Sequence, residues 1–541
     1  MRFSPGLSLA RVGVWLIAAA IFIAPLAMVV SLAFGGNQFP VLIEQGLGTA
    51  TWNSVYTTLL SSIGAVIIGG AIAILLERMD VAGSSALRLF LLSPLLVPPF
   101  VGAISWLQLF GRNQGLNAAF GHPIWDIYGA DGIIFLMTLH SYPVVYVIVS
   151  AALRSIPSDL ELAARISGAG SGQVLRTVTI PLLGPAFLSA FTLTAVSNLA
   201  DFGIPSILGS PVRFETLATM VYRFMESGTV SNPLQVVSTI GSVLMLLGIA
   251  AVVADYLVSR RASSSISGKG TLKLALGGAK WPVSVISWVL ALALTLGPLL
   301  GLAHRALLPA PGVPFTLKNL TAANFTATVN NPRVREGFTN SVILALGAAL
   351  LCGLLGWAIG ILVTRTRARS NTALSLFTLL PSALPGLIIG VGWVIVGRYT
   401  GIYNTRWVIL LAYVCAFTAM VLQAVRAPLA KIPTAVEEAA QISGASRLRS
   451  LLDTSGRMAL PAVASGAVLV AVTAVRELTV SILLVAPGTT TIGVQLFNLQ
   501  QSGNYNQASA LALMFDVIGI VALALTVRSG QKEAHDERHR H

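Results

Sequence analysis

Two polar stretches in an otherwise oily chain hold the side chains best placed for chemistry. Ile156 to Gly170 reads IPSDLELAARISGAG and Ile432 to Ser446 reads IPTAVEEAAQISGAS. Sliding the chain by 276 residues lays Pro157 on Pro433, Glu161 on Glu437 and Gly168 on Gly444. Proline suits the first turn of a helix, and Glu161, Glu437 and Glu438 lie near its positive N-terminal end. Ala163, Ala164, Ala439 and Ala440 are strong helix formers of little bulk, and Gly168 and Gly444 permit a tight turn or close backbone approach. The expected product is a short helix with a small-residue face, shaped to dock another protein. A connector need only be polar, and it would not repeat Pro, Ala-Ala and Gly in register.

Other ionisable or helix-breaking residues fall within apolar runs. Asp201 and Glu477 also match at offset 276, and charge there is costly and often functional. They read either as a pair of carboxylates at the outer mouth of a pathway, able to attract a cation, or as groups neutralised by Arg476 or packed between the halves. Pro98 and Pro385, with Pro94, Pro99 and Pro381, interrupt the third helix of each half. A bent helix there would line a pathway or serve structure alone. Cys352 and Cys415 lie in apolar runs and read as small hydrophobes. There is no G-x-x-x-x-G-K-[ST], no H-E-x-x-H and no plausible triad among six histidines, three of which crowd the charged tail KEAHDERHRH. No catalytic residue, no metal set and no bound cofactor is assigned.

The elements that position these residues follow from composition. Of 541 residues only 10% are charged, and the mean hydropathy is +0.81, which excludes a soluble globular chain. The net charge of +14 then marks cytoplasmic loops and lipid headgroups, and nucleic acid is set aside. At about 20 apolar residues per crossing, twelve segments qualify, near 12–34, 54–76, 89–110, 132–153, 182–208, 234–257, 282–303, 340–363, 373–396, 407–427, 462–485 and 508–527. The first reads as a retained anchor rather than a removed signal. With the N-terminus in the cytoplasm, Lys and Arg divide 24 inside against 9 outside, leaving Arg476 within a helix, so both termini and both polar stretches are expected in the cytoplasm.

The repeat extends far beyond the polar stretches. Offset 276 also pairs Pro185 with Pro461 and Pro211 with Pro487. Upstream, offset 287 pairs Asn53 with Asn340, Arg78 with Arg365, Pro94 with Pro381, Pro98 with Pro385 and Trp106 with Trp393. This is a six-helix unit present twice in the same orientation. We therefore expect an all-α polytopic membrane protein of two tandem parallel six-helix repeats. The first half is 1–258 with its loop at 154–181, and a Ser/Gly/Lys-rich linker covers 259–281. The second half is 282–530 with its loop at 428–461, and a tail covers 531–541.

The pattern Glu-Ala-Ala followed by Gly resembles the "EAA" cytoplasmic loop of binding-protein-dependent ABC importer permeases. Here it is Glu438-Ala439-Ala440 with Gly444, and more loosely Glu161-Leu162-Ala163-Ala164 with Gly168, where Leu162 replaces the usual Glu. The whole chain resembles the fused permeases of the ferric iron, thiamine and phosphonate importers, foremost the iron type. The resemblance implies a type I importer fold in a bacterial inner membrane and ATP bound by a separate cytoplasmic ATPase dimer beneath the two loops. It also implies a periplasmic or lipid-anchored binding protein that delivers substrate. Phosphate, sulfate, polyamine and thiamine stand behind iron. The competing class is an ion-coupled secondary transporter, which can also have two parallel six-helix repeats. Against it, no buried acidic or histidine relay is evident midway along the helices.

Overall fold

The computed structural model describes residues 5–95, 97–112, 115–228, 230–261, 276–310 and 312–517, which form helices and the loops between them. In the first half, α1 (Gly6–Ala33), α2 (Leu47–Arg78), α3 (Ser84–Leu95), α4 (Pro99–Phe110) and α5 (Ala130–Ser155) lead to the short α6 (Ser158–Ile166). Then come α7 (Gly184–Leu199), α8 (Gly203–Leu208) and α9 (Pro233–Arg261). The second half holds α10 (Lys280–Ala306), α11 (Pro332–Arg365), α12 (Ser370–Ala383), α13 (Gly386–Thr400) and α14 (Arg406–Lys431). It continues with α15 (Thr434–Ile442), α16 (Leu460–Val475) and α17, residues 505–517.

Among the described residues, seven helices are long and apolar enough to cross a bilayer, and four sharply bent pairs raise the number to eleven if each pair is one crossing. These account for eleven of the twelve expected segments. The twelfth coincides with α17 as far as residue 517. Its remainder, residues 262–275 of the linker, and the tail with His535, His539 and His541 lie outside the described residues.

The proline-bearing segments differ from expectation. We expected bent helices at 89–110 and 373–396, yet α3 meets α4 at 100° and α12 meets α13 at 109°. A turn that sharp makes two helices. Pro98 and Pro385 each stand just before the second helix with extended ψ of 139° and 132°, and proline also forces the residue before it out of the helical region. The fifth crossing of each half lies earlier in the chain than the expected 182–208 and 462–485: it is a bent pair, Ser171–Leu182 with Gly184–Leu199 and Arg447–Gly456 with Leu460–Val475.

Two compact units emerge, and they do not coincide with the sequence halves. One gathers Met1–Ala50, Leu217–Ile249 and Asn331–Gln495; the other gathers Thr51–Thr216, Ala250–Asn330 and Leu496–His541. Each therefore combines the four middle crossings of one half with the outer crossings of the other. In the first unit a Cβ on Gly392 of α13 would lie 2.8 Å from the Pro25 carbonyl of α1. In the second, a Cβ on Gly301 of α10 would lie 3.3 Å from the Ser105 carbonyl of α4. Gly392 and Ser105 are equivalent at offset 287, so the same place on the third crossing receives the first crossing of the other half.

Small residues set the helix spacing within each unit, as they do where lipid offers no hydrophobic drive to association. A Cβ on Gly69 of α2 would sit 2.5 Å from the Tyr142 carbonyl of α5, and one on Gly356 of α11 would sit 2.7 Å from Val421 Cβ of α14. Both contacts tolerate only hydrogen, and they fix the second crossing against the fourth in each unit.

Candidate functional site

The two polar stretches fold as expected into short helices, α6 and α15, each nine residues long. Pro157 and Pro433 lie one residue earlier than expected, as N-caps rather than in the first turn. Their ψ values of 129° and 137° are extended, so the helical N–H series starts at the next residue. The alanines and glycines end the helix. Gly168 and Gly444 adopt φ of +91° and +92°, where any Cβ is strained. Their N–H groups donate to Arg165 O (2.9 Å) and Gln441 O (3.0 Å), and the next residues donate to Ala164 O and Ala440 O, both at 3.0 Å. Ser167 and Ser443 hydroxyls donate to Ala163 O and Ala439 O. This is a Schellman-type closure built twice.

Glu161 and Glu437 do not face outward. Arg78, the last residue of α2, reaches Glu161 Oε1 at 3.2 Å, and Arg365, the last residue of α11, reaches Glu437 Oε1 at 2.6 Å. Side-chain exposures are 1% and 7% in the first pair and 6% and 11% in the second. Thr179 donates to Glu161 at 2.9 Å, and Ser455 donates to Glu437. The guanidinium groups also donate to the last-turn carbonyls of the fourth crossing, Leu153 at 3.1 Å and Leu429 at 3.2 Å, where cations suit the helix dipole. Ile432 O receives a further bond from Arg365 at 2.9 Å. Every member is matched by the repeat: Arg78 with Arg365, Glu161 with Glu437, Thr179 with Ser455, and Leu153 with Leu429. Each short helix is thus tied to the ends of two crossings by a buried ion pair.

What remains exposed is the opposite face. Ile166 and Ile442, equivalent at offset 276, are each 87% exposed at the helix C-termini, and Leu160, Leu162 and Val436 are exposed beside them. Glu438 is exposed, as are Ala163, Ala439, Gly168 and Gly444, while Ala164 and Ala440 are half-buried. Sequence reasoning passed over the isoleucines and the arginine partners. Arg78 and Arg365 are in register with each other at offset 287, while the glutamates they meet follow offset 276.

Asp201 lies in the same compact unit as Pro98, and Glu477 in the same unit as Pro385. Asp201 lies past the end of α7 and accepts the Ile204 N–H at 2.9 Å, starting α8. Glu477 lies past the end of α16 and accepts the N–H groups of Val480 (2.6 Å) and Ser481 (3.0 Å) and the Ser481 hydroxyl (3.1 Å). Ile204 and Val480 are equivalent, so the carboxylates act as duplicated caps on a chain reversal. The reversals pack on the helices that follow Pro98 and Pro385. A Cβ on Gly203 would lie 2.6 Å from Phe100 Cβ, and one on Gly386 would lie 3.0 Å from Val480. Both carboxylates are half-buried.

The sequence showed no acidic or histidine relay midway along the crossings; the fold places one buried carboxylate, Asp516 of α17, and a half-buried histidine, His140 of α5, on the lining of one cavity. Asp516 is a single polar residue in an apolar run, His140 stands beside Ser141 and Tyr142, and the two are far apart in sequence, which is why neither stood out.

The duplicated short helix, tied to its crossings and carrying an exposed apolar residue at its end, has a counterpart in a family whose pattern is itself found twice in the chain, and the relatives that follow are transport subunits. The pattern of the family described as "Binding-protein-dependent transport system inner membrane component" matches residues 65–264 and again 337–538. The chain belongs to that family, as a fused two-repeat permease of an ABC importer. It is 24% identical over 511 residues to the ferric transport system permease protein FbpB of Actinobacillus pleuropneumoniae, spanning 91% of this chain and 73% of that one. It is 26% identical over 471 residues to the Fe(3+)-transport system permease protein FbpB 2 of Haemophilus influenzae, spanning 85% and 86%. A molybdenum transport system permease protein ModB of Mycobacterium bovis is 31% identical over 192 residues, 35% of this chain and 72% of that one.

Proposed function

We propose that α6 and α15 are the helices on which a cytoplasmic ATPase dimer docks, and that the permease imports ferric iron handed to its outer face by a binding protein. The observation that carries the docking reading is the duplicated arrangement of a buried Arg–Glu pair behind an 87% exposed isoleucine. An exposed apolar knob held rigidly outside the apolar crossings wants a partner. The excess of Lys and Arg on the same side supports a cytoplasmic location for these helices and both termini.

The mechanism follows. ATP binding closes the dimer, each ATPase surface carries one docked helix, and the ion pairs pass the displacement to the second and fourth crossings. Hydrolysis resets the pair. Coupling requires each docked helix to favour one state of the dimer, because a contact indifferent to state transmits nothing. The two dockings differ. Glu161 is committed to Arg78, so it does not stand in for the exposed carboxylate that Glu438 supplies in α15, and α6 offers Leu162 there instead. A homodimeric ATPase would therefore meet one acidic and one apolar partner.

For the substrate, support comes from the two relatives named as ferric permeases over most of their length. Asp201 and Glu477 remain the candidate entrance carboxylates, in addition to their capping role. Proteoliposomes holding the permease with its co-purified ATPase, given labelled ferric iron on the binding protein, should take up iron only with ATP on the ATPase side. Uptake that survives ATP removal and collapses with the proton gradient would refute the reading in favour of an ion-coupled carrier.

A further inference from the structure

A small cavity of about 40 Å³ lies within one compact unit, lined from α3, α4, α5, α10 and α17. It has room for water. Its lining is mostly apolar, with His140, Asp516, Ser93, Ser105 and Thr295 set into it. His140 stands ten residues into α5 and Asp516 eleven residues into α17. At about 1.5 Å per residue each lies roughly 15 Å from its helix start, near the middle of a 30 Å core. Asp516 is 4% exposed, and its Oδ1 has no hydrogen-bond partner among the described residues. Ser93 and Thr295 add hydroxyls 2.9 Å apart. Pro143 and Pro298 follow the lining residues Leu139 and Leu294 by four positions, so neither of those carbonyls has a helical N–H to accept. The absence of a Cβ at Gly102 makes room for the imidazole, which a Cβ would strike.

The other titratable groups on these helices are engaged elsewhere. Arg88, Tyr146 and Arg154 bond Glu77, and Tyr142 donates to Leu91 O. Lys280 holds Asp80, His304 stacks on Phe315, and Arg305 lies over Tyr505 at the start of α17. Asp131 opens α5, nine residues before His140. His140 is the other titratable side chain in the cavity lining. An ionised carboxylate without an opposing charge is strongly disfavoured in such a place, and protonation relieves the cost. The acceptor surplus, a partnerless carboxylate oxygen with two freed carbonyls, calls for a donor.

We infer that this cavity is a proton-binding site within the membrane, in which the Asp516 carboxyl holds a proton that it can pass to the His140 imidazole. Transfer breaks the carboxyl O–H bond and forms an imidazolium N–H, leaving the cavity's net charge unchanged. Neither Asp516 nor His140 has a titratable equivalent at offset 276, where Ile240 and Ala416 stand, so the pair occurs in one compact unit and is not repeated by the duplication.

Infrared difference spectroscopy on the purified full-length permease in nanodiscs tests this without substrate or ATPase, so its outcome is independent of the transport reading. At neutral pH the wild type should show the carbonyl stretch of a protonated carboxylic acid, shifted in D₂O, absent from Asp516→Asn and displaced in His140→Gln. Carboxylate bands lost in Asp516→Asn instead of an acid band would overturn the proposal, as would an acid band that vanishes on adding sodium. If Asp516→Asn does not fold, His140→Gln decides, and an acid band it leaves unmoved counts against the site.

Discussion

Adjacent glutamates in α15 should behave as opposites. Glu437 is buried against Arg365 while Glu438 points outward. Replacing Glu437 with Gln leaves the guanidinium nearly buried without its counter-charge. Breaking a buried pair from one side costs about 3–5 kcal/mol. Arg365 keeps bonds to the Leu429 and Ile432 carbonyls, so the lower end applies. A loss of about 3 kcal/mol moves the local folding equilibrium by about a hundredfold. Glu438→Gln, at an exposed site, should stay within about 0.5 kcal/mol. Thermal unfolding of the purified chain and limited proteolysis of residues 428–461 would read both. Glu437→Gln should unfold earlier and expose the loop, with Glu438→Gln tracking the wild type. Replacing the pair together with Met at 365 and Leu at 437 should recover most of the loss. The reasoning is wrong if Glu437→Gln is as stable and as protected as the wild type, or if the two variants exchange behaviour.

Three further outcomes follow. Asp201→Ala and Glu477→Ala each remove a cap worth about 1 kcal/mol, so each should lower the thermal midpoint measurably, while Asp201→Asn should retain stability. If Asp201→Asn with Glu477→Gln also leaves iron uptake unchanged at equal expression, the entrance role fails. Because each compact unit takes crossings from both sequence halves, neither half alone should accumulate as stable protein, whereas co-expressed halves severed in the linker should; membrane immunoblots of the three strains decide. Gly356→Val should force α11 from α14, costing roughly 1–3 kcal/mol by overpacking, measurable by the same unfolding assay.

The sequence showed the repeat clearly, because Pro, Gly, Trp and Glu matched in register and fixed the element order. It placed α6 and α15 with their closing glycines for the same reason. It did not show the breaks at Pro98 and Pro385 as near right angles, since proline marks an interruption without fixing its angle. The Arg78–Glu161 and Arg365–Glu437 pairs were hidden because their members follow two different offsets, 287 and 276, and only the fold brings them together. The outward isoleucines read as ordinary apolar residues, and exposure is a tertiary property. Likewise, nothing local says that the first crossing of one half packs on the third of the other.

Site-directed cross-linking gives the most direct test of the docking account. The native thiols, Cys352 and Cys415, are buried, so cysteines introduced at Ile166 and Ile442 report with little background. Both should cross-link to the co-purified ATPase, with a yield that changes when ATP is bound, while a cysteine at buried Glu437 should not. Cross-links absent at both isoleucines in a complex that still imports its substrate with ATP would contradict the claim that α6 and α15 carry the drive.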